Sequence, residues 1–313
     1  MISTTAKHAL KFRVLPRRIV SDIAIACFMI NDEKLFNEII ALFDGKVDYI
    51  YIDVEQKQHV NLFEAARATV KQSELVTVKP NDITLESADL LIRYQFNDDL
   101  YDKKVIVIGT GNLASKLALR LAERQASVFI KGRTKEKQQA LIKGLNLFLP
   151  SYTQPIQEIE LIKNNKADLV VSFLSGQFTE EDALLPYIAD NTFVIDGGIN
   201  NFSSDFIQRM LAEDINITRL DTRIALPYQI LSQHDYTQTF FKEVYGQSVI
   251  QKVTVASGGH IGAEGAVIVD NIKQPNQVIG IADGRGGVKG NEQLSEADEE
   301  RIQKIRQTIS EYH

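Results

Sequence analysis

The sequence predicts an α/β protein whose central part is a doubly wound parallel sheet. Residues 105–108 form a continuous run of β-branched apolar side chains, which is typical of a strand buried on both faces. Gly109, Thr110 and Gly111 follow without a gap, leucines then recur at helical spacing, and a second apolar strand ends at Ile130. Strands and helices alternate in this way through most of the chain, which favours parallel strands joined by right-handed crossovers.

The chain has 313 residues, which is long enough for more than one domain. We expect an N-terminal α/β domain over residues 1–100, the doubly wound domain over residues 101–245, and a Gly-rich β segment with a C-terminal helix over residues 246–313. The polar run from Asn97 to Asp99 is typical of a linker between the first two parts.

The N-terminal domain has its own alternation of predicted elements. Strands are predicted over residues 11–15, 22–30, 48–53 and 75–78. Helices are predicted over residues 32–43, 60–70 and 84–95. Pro16 is expected to end the first strand, because proline has no N–H to donate to a ladder.

Composition excludes several classes of protein. The net charge of −6 argues against a nucleic-acid-binding protein. No apolar run approaches the roughly 18 residues of a membrane span. Cys27 is the single cysteine, so an internal disulfide is excluded and a reducing compartment is expected. Since the N-terminus also lacks a signal-peptide pattern, we expect a cytoplasmic protein.

The glycines after the strand at 105–108 predict a dinucleotide site. Gly109 allows a tight turn, Gly111 lets the backbone approach a pyrophosphate, and Ala114 lets the following helix lie close to the strand. Asn112 and Leu113 begin that helix, whose free N–H groups and positive dipole end attract an anion. The alternative is a glycine turn in a doubly wound sheet that binds nothing.

The residues after Ile130 favour NADP(H) over NAD(H). An NAD site usually has an Asp or Glu at this point to bind the ribose 2′-hydroxyl. Here Lys131 takes that position, and Arg133 and Lys137 follow it. A guanidinium fork and nearby ammonium groups suit a 2′-phosphate, which a carboxylate would repel. The alternative is a solvated basic loop.

Two later loops are expected beside the cofactor. Strands are predicted over residues 167–174, 192–196 and 217–226. Ser175 follows the first of them and Gly197 follows the second. Ligands of open α/β sheets gather beyond the carboxyl ends of the strands, so we expect both residues to contact the cofactor.

The Gly-rich segment allows two interpretations. Three short strands with glycine turns are predicted between residues 246 and 294. They form either an added β-meander or dimer contact, or a lid or substrate loop. The candidate functional residues of the second interpretation are His260, Glu264, Asp283 and Arg285.

Several stretches resemble the two-domain superfamily of shikimate dehydrogenases and methylenetetrahydrofolate dehydrogenases. The sequence Gly132-Arg133-Thr134 is similar to the Asn-Arg-Thr signature by which shikimate dehydrogenases hold the 2′-phosphate of NADP, with Gly replacing Asn. Residues 194–200 resemble the Val-Ile-Asp-Val-Gly-Ile-Asn stretch of the methylenetetrahydrofolate enzymes. The resemblance spans residues 48–235 and implies a Rossmann domain, an interdomain cleft, and a role for Thr134 in cofactor binding.

The resemblance also implies a catalytic Lys–Asp pair, which the shikimate enzymes use in their cleft. Lys79 lies in a stretch similar to the Asn-Val-Thr-x-Pro-x-Lys motif, and Lys57 is a second candidate. Asp82 is the expected carboxylate, because it precedes the helix that leads into the nucleotide-binding strand. For each lysine the alternative is a solvated surface charge. The Ser-x-Ser substrate motif is missing, so we expect a relative that acts on another small molecule.

These observations predict an NADP(H)-dependent oxidoreductase that transfers hydride to or from a small polar carbonyl, alcohol or imine. The histidines have no metal-ligand spacing, so no catalytic metal is expected. The expected partner is a small-molecule substrate, and no nucleic acid or membrane is expected. Whether the protein forms a homodimer is left open. The alternatives are a non-catalytic NADP(H) sensor or scaffold, and a protein that binds a nucleotide-sugar or another nucleotide.

Overall fold

A computed structural model describes residues 1–3, 11–55, 60–162 and 166–312 of the protein. The chain divides into two compact units, Met1–Pro227 and Tyr228–His313. Within the described residues, the first unit contains a five-stranded and a six-stranded sheet, and the second contains a four-stranded sheet. No helix in the described part of the chain has the length and apolar character that crossing a membrane requires.

The five-stranded sheet of the first unit is mostly parallel. Its strands are β1 (Ile2–Ser3), β2 (Phe12–Val20), β3 (Ile23–Ile30), β4 (Tyr49–Asp53) and β5 (Glu74–Val78), in the order β2-β3-β1-β4-β5. Helices α1 (Glu33–Phe43) and α2 (Leu62–Thr69) supply Phe36, Ile40, Leu62 and Ala66 to the core that covers one of its faces. Of the five strands described here, β2 alone runs antiparallel to its neighbour.

Strand β2 does not end at Pro16, so the break expected there is wrong. The strand continues to Val20 and pairs with β3, with a shift of register between Leu15 and Arg18. Because β2 lies at the edge of the sheet and the irregularity falls at the proline, the missing N–H removes no bond from a central ladder.

The six-stranded sheet has the strand order of a dinucleotide-binding domain. After α3 (Pro80–Gln95), its elements are β6 (Lys104–Ile108), α4 (Asn112–Glu123), β7 (Ser127–Lys131), α5 (Lys135–Asn146), β8 (Gln157–Glu158), β9 (Leu169–Ser172), β10 (Phe193–Asp196), α6 (Ser204–Ala212) and β11 (Ile217–Arg219). All pairs are parallel, in the order β11-β10-β9-β6-β7-β8. The chain therefore reverses its direction of winding at β6, and the predicted doubly wound fold is confirmed.

Alternate residues of β6 face two separate cores. Val105 and Val107 pack with apolar residues of α3, α4 and α5, whereas Ile106 and Ile108 pack with residues of α6. All four are fully buried. This burial on both faces explains why β6 is continuously apolar rather than alternating.

Strand β11 is shorter than predicted. It ends at Arg219, and the chain then enters α7 (Leu226–Leu231). Pro227 lies at the start of this helix, where a missing N–H removes no intrahelical bond.

The second unit combines a small sheet with the C-terminal helix. Its elements are α8 (Asp235–Thr239), β12 (Gly246–Ile250), β13 (Val253–Ser257), β14 (Val267–Val269), β15 (Val278–Ile281) and α9 (Glu296–Tyr312). Ile305 of α9 is buried against Val255, Val267 and Ile281 of the sheet. The predicted Gly-rich β segment and C-terminal helix are confirmed, but β13 and β14 are parallel, so the sheet is not a simple meander.

Helices α3 and α4 are joined by a row of ion pairs. Asp89 accepts hydrogen bonds from Arg124 Nε at 2.9 Å and Arg124 Nη2 at 2.8 Å. One turn earlier, Glu86 pairs with Arg120 at 2.8 Å. The side chain of Asp89 is only 3% exposed, so these partners offset the cost of burying its carboxylate.

We expect Asp89→Ala to lower the free energy of unfolding by about 2 kcal/mol, because Arg124, which is 34% exposed, loses its carboxylate partner next to the core. The measurement is urea denaturation followed by circular dichroism. Glu213→Ala is the matched control, since Glu213 pairs with Arg209 at 3.0 Å but is 50% exposed. Its loss should be under about 1 kcal/mol. Equal losses in the two variants would contradict the expectation.

Candidate functional site

Gly109 makes a turn that no other residue could make without strain. Its φ is +129°, and a Cβ at this position would lie 2.5 Å from the carbonyl oxygen of Phe173. Its N–H donates to the carbonyl oxygen of Lys131 at 2.8 Å. The turn is therefore pinned between β7 and the end of β9, as expected for a tight loop at the switch point.

Gly111 leaves open space at the start of α4. It is the N-cap of the helix. Within the described parts of the chain, no side chain caps the first turn, and a Cβ at Gly111 would meet no atom within 4 Å. Asn112 is exposed, Leu113 is half-buried and Ala114 is buried. The uncapped N–H groups and the free space fit a pyrophosphate, which needs backbone donors and close approach.

Lys131 is already paired with a carboxylate. Its Nζ lies 2.8 Å from Oε2 of Glu180, and its side chain is 17% exposed. Glu180 comes from the loop after β9, far along the sequence, so no local pattern around Lys131 could reveal it. The pair occupies the ammonium group that Lys131 would offer to a phosphate.

The other basic residues of this loop are exposed. Arg133, Thr134 and Lys137 lie at the start of α5, where Thr134 is the N-cap and its side chain makes no capping bond. No carboxylate of the described residues pairs with Arg133 or Lys137 within 4 Å. A Cβ at Gly132 would lie 2.7 Å from Cγ2 of Thr110, which explains why glycine stands at this position.

Asn201 organises the loops after β9 and β10, and the sequence analysis missed it. Its Oδ1 accepts from Ser172 Oγ at 3.0 Å and from the Leu174 N–H at 2.8 Å, and its Nδ2 donates to the Gly176 carbonyl at 3.0 Å. The side chain is fully buried. Asn200 and Asn201 are adjacent residues of the same type, so the sequence does not indicate which of the two is buried.

The bonds of Asn201 hold the loop that carries Ser175 against the chain that follows β10. Ser175 is exposed beyond the end of β9. Gly197 follows β10, and a Cβ there would lie 2.4 Å from the ring of Phe173. Both predicted residues therefore stand at the carboxyl edge of the six-stranded sheet.

Lys79 and Asp82 form an ion pair at the start of α3. Lys79 Nζ lies 2.8 Å from Asp82 Oδ2, and Lys116 Nζ of α4 lies 3.1 Å from Asp82 Oδ1. Lys79 follows β5 directly and is the N-cap of the helix that contains Asp82. Lys116 was missed, because no local motif connects residues on separate helices. Lys57 lies outside the described residues.

The ion pair keeps both groups charged. The hydrogen bond to Asp82 raises the pKa of Lys79, and the Asp82 charge adds to this effect. The hydrogen bonds from Lys79 and Lys116 lower the pKa of Asp82 despite its partial burial. Lys79 is therefore an ammonium group near neutral pH, which can donate a proton or stabilise negative charge but cannot abstract a proton.

In the second unit, most of the candidate residues of the Gly-rich segment have structural contacts. Glu264 pairs with Lys289 at 3.2 Å. The Asp283 carboxylate accepts from the N–H groups of Arg285 and Gly287 at 2.7 and 2.9 Å. His260 lines a cavity of about 370 Å³. The lid or substrate-loop interpretation stays a prediction. Among the described residues, no three His, Cys, Asp or Glu side chains form a group that could hold a metal.

Comparison with known proteins relates the chain to the shikimate dehydrogenases. Residues 91–178 match the family model described as shikimate / quinate 5-dehydrogenase, so the predicted resemblance is confirmed for this segment. No curated protein sequence matches the chain.

Several solved structures are similar to the chain at low identity. A shikimate dehydrogenase in complex with NADP+ is 13% identical over 65% of this chain and 77% of its own, with a TM-score of 0.41. L-tryptophan dehydrogenase from Nostoc punctiforme is 15% identical over 69% and 66%, with a TM-score of 0.43. Dipicolinate synthase A chain from Bacillus subtilis is 13% identical over 68% and 70%, with a TM-score of 0.39.

The two glycines of the loop should respond differently to alanine. Gly109→Ala should lower the free energy of unfolding by about 2 kcal/mol or more, because the methyl group meets the Phe173 carbonyl at a positive φ. Gly111→Ala should change it by less than about 1 kcal/mol, because its methyl group enters open space. Thermal and urea unfolding measure both. A larger loss for Gly111→Ala would show that the space above α4 is not free.

Proposed function

We propose that the protein is an NADP(H)-dependent oxidoreductase that transfers hydride to or from a small polar carbonyl, alcohol or imine. The supporting observation is the placement of the Lys79–Asp82 pair. The residue numbers of the ion-paired residues increase along both helices, from Asp82–Lys116 through Glu86–Arg120 to Asp89–Arg124. Helices α3 and α4 therefore run parallel. The ion pair thus lies at the same end of α4 as the glycine loop.

Fit to the cofactor is supported by the loop that begins α4. Gly109 and Gly111 would let the pyrophosphate approach the backbone, the N–H groups of Asn112 and Leu113 would face it, and Ala114 keeps the helix close to β6. A bound nicotinamide supplies or accepts the hydride. The match of residues 91–178 to the shikimate / quinate 5-dehydrogenase family supports an oxidoreductase.

Selectivity for the 2′-phosphate would come from the start of α5. Arg133 is exposed, has no carboxylate partner among the described residues, and offers a planar fork of donors. Thr134 has a free hydroxyl at the N-cap, and Lys137 adds positive charge in the first turn of the helix. Lys131 would contribute less than its position suggests, because its ammonium group already pairs with Glu180.

Lys79 would act on the reacting oxygen of the substrate. In the reductive direction, a carbonyl oxygen gains negative charge as its carbon accepts hydride. An ammonium group stabilises that charge and can then transfer its proton to the alkoxide. Asp82 holds the ammonium in place and keeps it protonated near neutral pH. Lys57 is a second candidate for this role.

Ser175 and Gly197 would complete the cofactor side of the site. Ser175 stands beyond the carboxyl end of β9, which neighbours β6, and Gly197 stands beyond the carboxyl end of β10, one strand further out. Nucleotides bind at this edge in doubly wound sheets. Asn201 would act indirectly, because its hydrogen bonds set the conformation of the loop that contains Ser175.

The proposal is tested by titration and turnover together. Binding of NADPH and NADH is measured by isothermal calorimetry, and oxidation of NADPH is followed at its absorbance band with 2-oxo acids, enones and cyclic imines. Tighter binding of NADPH with turnover on one class supports the proposal. Binding without turnover on any class would favour a sensor, and displacement by UDP-sugars would favour a nucleotide-sugar protein.

Arg133→Ala should weaken NADPH binding about tenfold or more and NADH binding less than about threefold, because the lost guanidinium would contact only the 2′-phosphate. Calorimetry gives both dissociation constants. Lys143→Ala is the matched control, since Lys143 is an exposed cation on the same helix. An equal effect on both cofactors would remove Arg133 from the site.

Lys79→Met should lower kcat about 100-fold while NADPH binding is unchanged, because the proton donor is lost and the cofactor loop is intact. Asp82→Asn should move the alkaline limb of the pH–rate profile to lower pH, since the bond that raises the pKa of Lys79 is removed. Lys34→Met, a change at an exposed lysine of the same unit, is the control. Full turnover by Lys79→Met would contradict this role for Lys79, and the proton donor would then be Lys57 or another group.

A further inference from the structure

Asp82 binds two ammonium groups through separate oxygens. Oδ2 lies 2.8 Å from Lys79 Nζ, and Oδ1 lies 3.1 Å from Lys116 Nζ. The two lysines come from different parts of the chain. Lys79 and Asp82 begin α3, whereas Lys116 lies one turn into α4, about 6 Å along the helix axis from Asn112. Lys116 therefore connects the helix of the glycine loop to the ion pair.

We infer that Lys116 is a positioning residue, which occupies one oxygen of Asp82 so that the other oxygen stays on Lys79. The expected effect of Lys116 on turnover rests on the proposed function, whereas its effect on the position of Asp82 and Lys79 does not. Without a partner on Oδ1, the carboxylate could turn about its side-chain bonds, and the direction of the Lys79 ammonium would be lost.

The alternative is that Lys116 only continues the row of ion pairs between α3 and α4. The residue type argues against this. The later contacts use arginine, and Arg124 takes both oxygens of Asp89, at 2.9 and 2.8 Å. Arg93 likewise takes both oxygens of Asp98, at 2.6 and 2.8 Å. An arginine at position 116 would strengthen the row but would compete with Lys79 for Oδ2.

The ammonium group of a lysine is a compact point charge, whereas a guanidinium can bind both oxygens of a carboxylate. Lysine at position 116 therefore leaves Oδ2 of Asp82 available to Lys79. Among the described residues, the charged groups around Lys79 are Asp82, Lys116 and Glu55. Glu55 also accepts the N–H of Asn81 at 3.0 Å. Since Lys116→Arg keeps the charge at position 116, any change in the titration of Lys79 reports the loss of its hydrogen bond rather than a change in net charge.

The experiment is competitive labelling of the full chain with acetic anhydride across a pH series, with the peptide that contains Lys79 read by mass spectrometry. In Lys116→Arg, the pKa of Lys79 should fall by about half a pH unit or more, because the guanidinium displaces it from Asp82. The thermal midpoint should not fall. Arg120→Lys is the matched control one turn along the same row, and it should leave the titration of Lys79 unchanged.

A second variant guards against an unexpected loss of folding. Lys116→Gln removes one of the two cations on Asp82, so the pKa of Asp82 should rise, which the carboxyl 13C resonance reports after assignment with Asp82→Asn. Unchanged titration of Lys79 in Lys116→Arg and of Asp82 in Lys116→Gln would overturn the inference.

Turnover separates this inference from the proposed function. With a substrate found as above, Lys116→Arg should lower kcat about tenfold with little change in the NADPH dissociation constant, whereas Arg120→Lys should not. If the wild-type protein turns over no substrate, the proposed function fails while the titrations still decide the role of Lys116. If the titrations shift and kcat does not, the positioning holds and the ion pair is not catalytic.

Discussion

The contact between α3 and α4 determines how the functional residues come together. The two helices run parallel, and three acidic residues of one face three basic residues of the other over about two turns. At its inner end the contact depends on Asp89, whose buried carboxylate must be paired. At its outer end the same contact places Lys79 and Asp82 next to the first turns of α4, the helix that begins at the glycine loop. The packing of α3 against α4 therefore determines where the Lys79–Asp82 pair lies relative to the glycine loop.

The glycine loop shows two different reasons for glycine only two residues apart. Gly109 is required by the protein itself, because its backbone conformation and the nearby Phe173 carbonyl exclude a side chain. Among the described residues, no atom requires glycine at Gly111, where the space is open. A residue whose small size serves no internal contact is consistent with space reserved for a ligand, which is the physical content of the cofactor proposal.

The alternation of strands and helices, the apolar strand β6 and the position of the glycine turn could all be predicted, because each depends on neighbours within a few residues. Errors arose where the environment overrides a local rule. Pro16 continues a strand because that strand lies at the edge of its sheet. Pro227 begins a helix, and the strand before it is short. The pairing of Lys131 with Glu180 could not be foreseen, since those residues meet only across strand ends.

The sequence by itself determined the doubly wound sheet, the glycine turn at its switch point and the basic composition of the loop before α5, because periodicity and backbone freedom are local properties. Only the tertiary structure decided which charges are available. It assigned Glu180 to Lys131, left Arg133 without a carboxylate partner in the described part of the chain, buried Asn201 between two loops, and placed Lys116 on Asp82. Charges act over a few ångströms in space regardless of their separation along the chain, so their partners follow from the packing of the strands and helices.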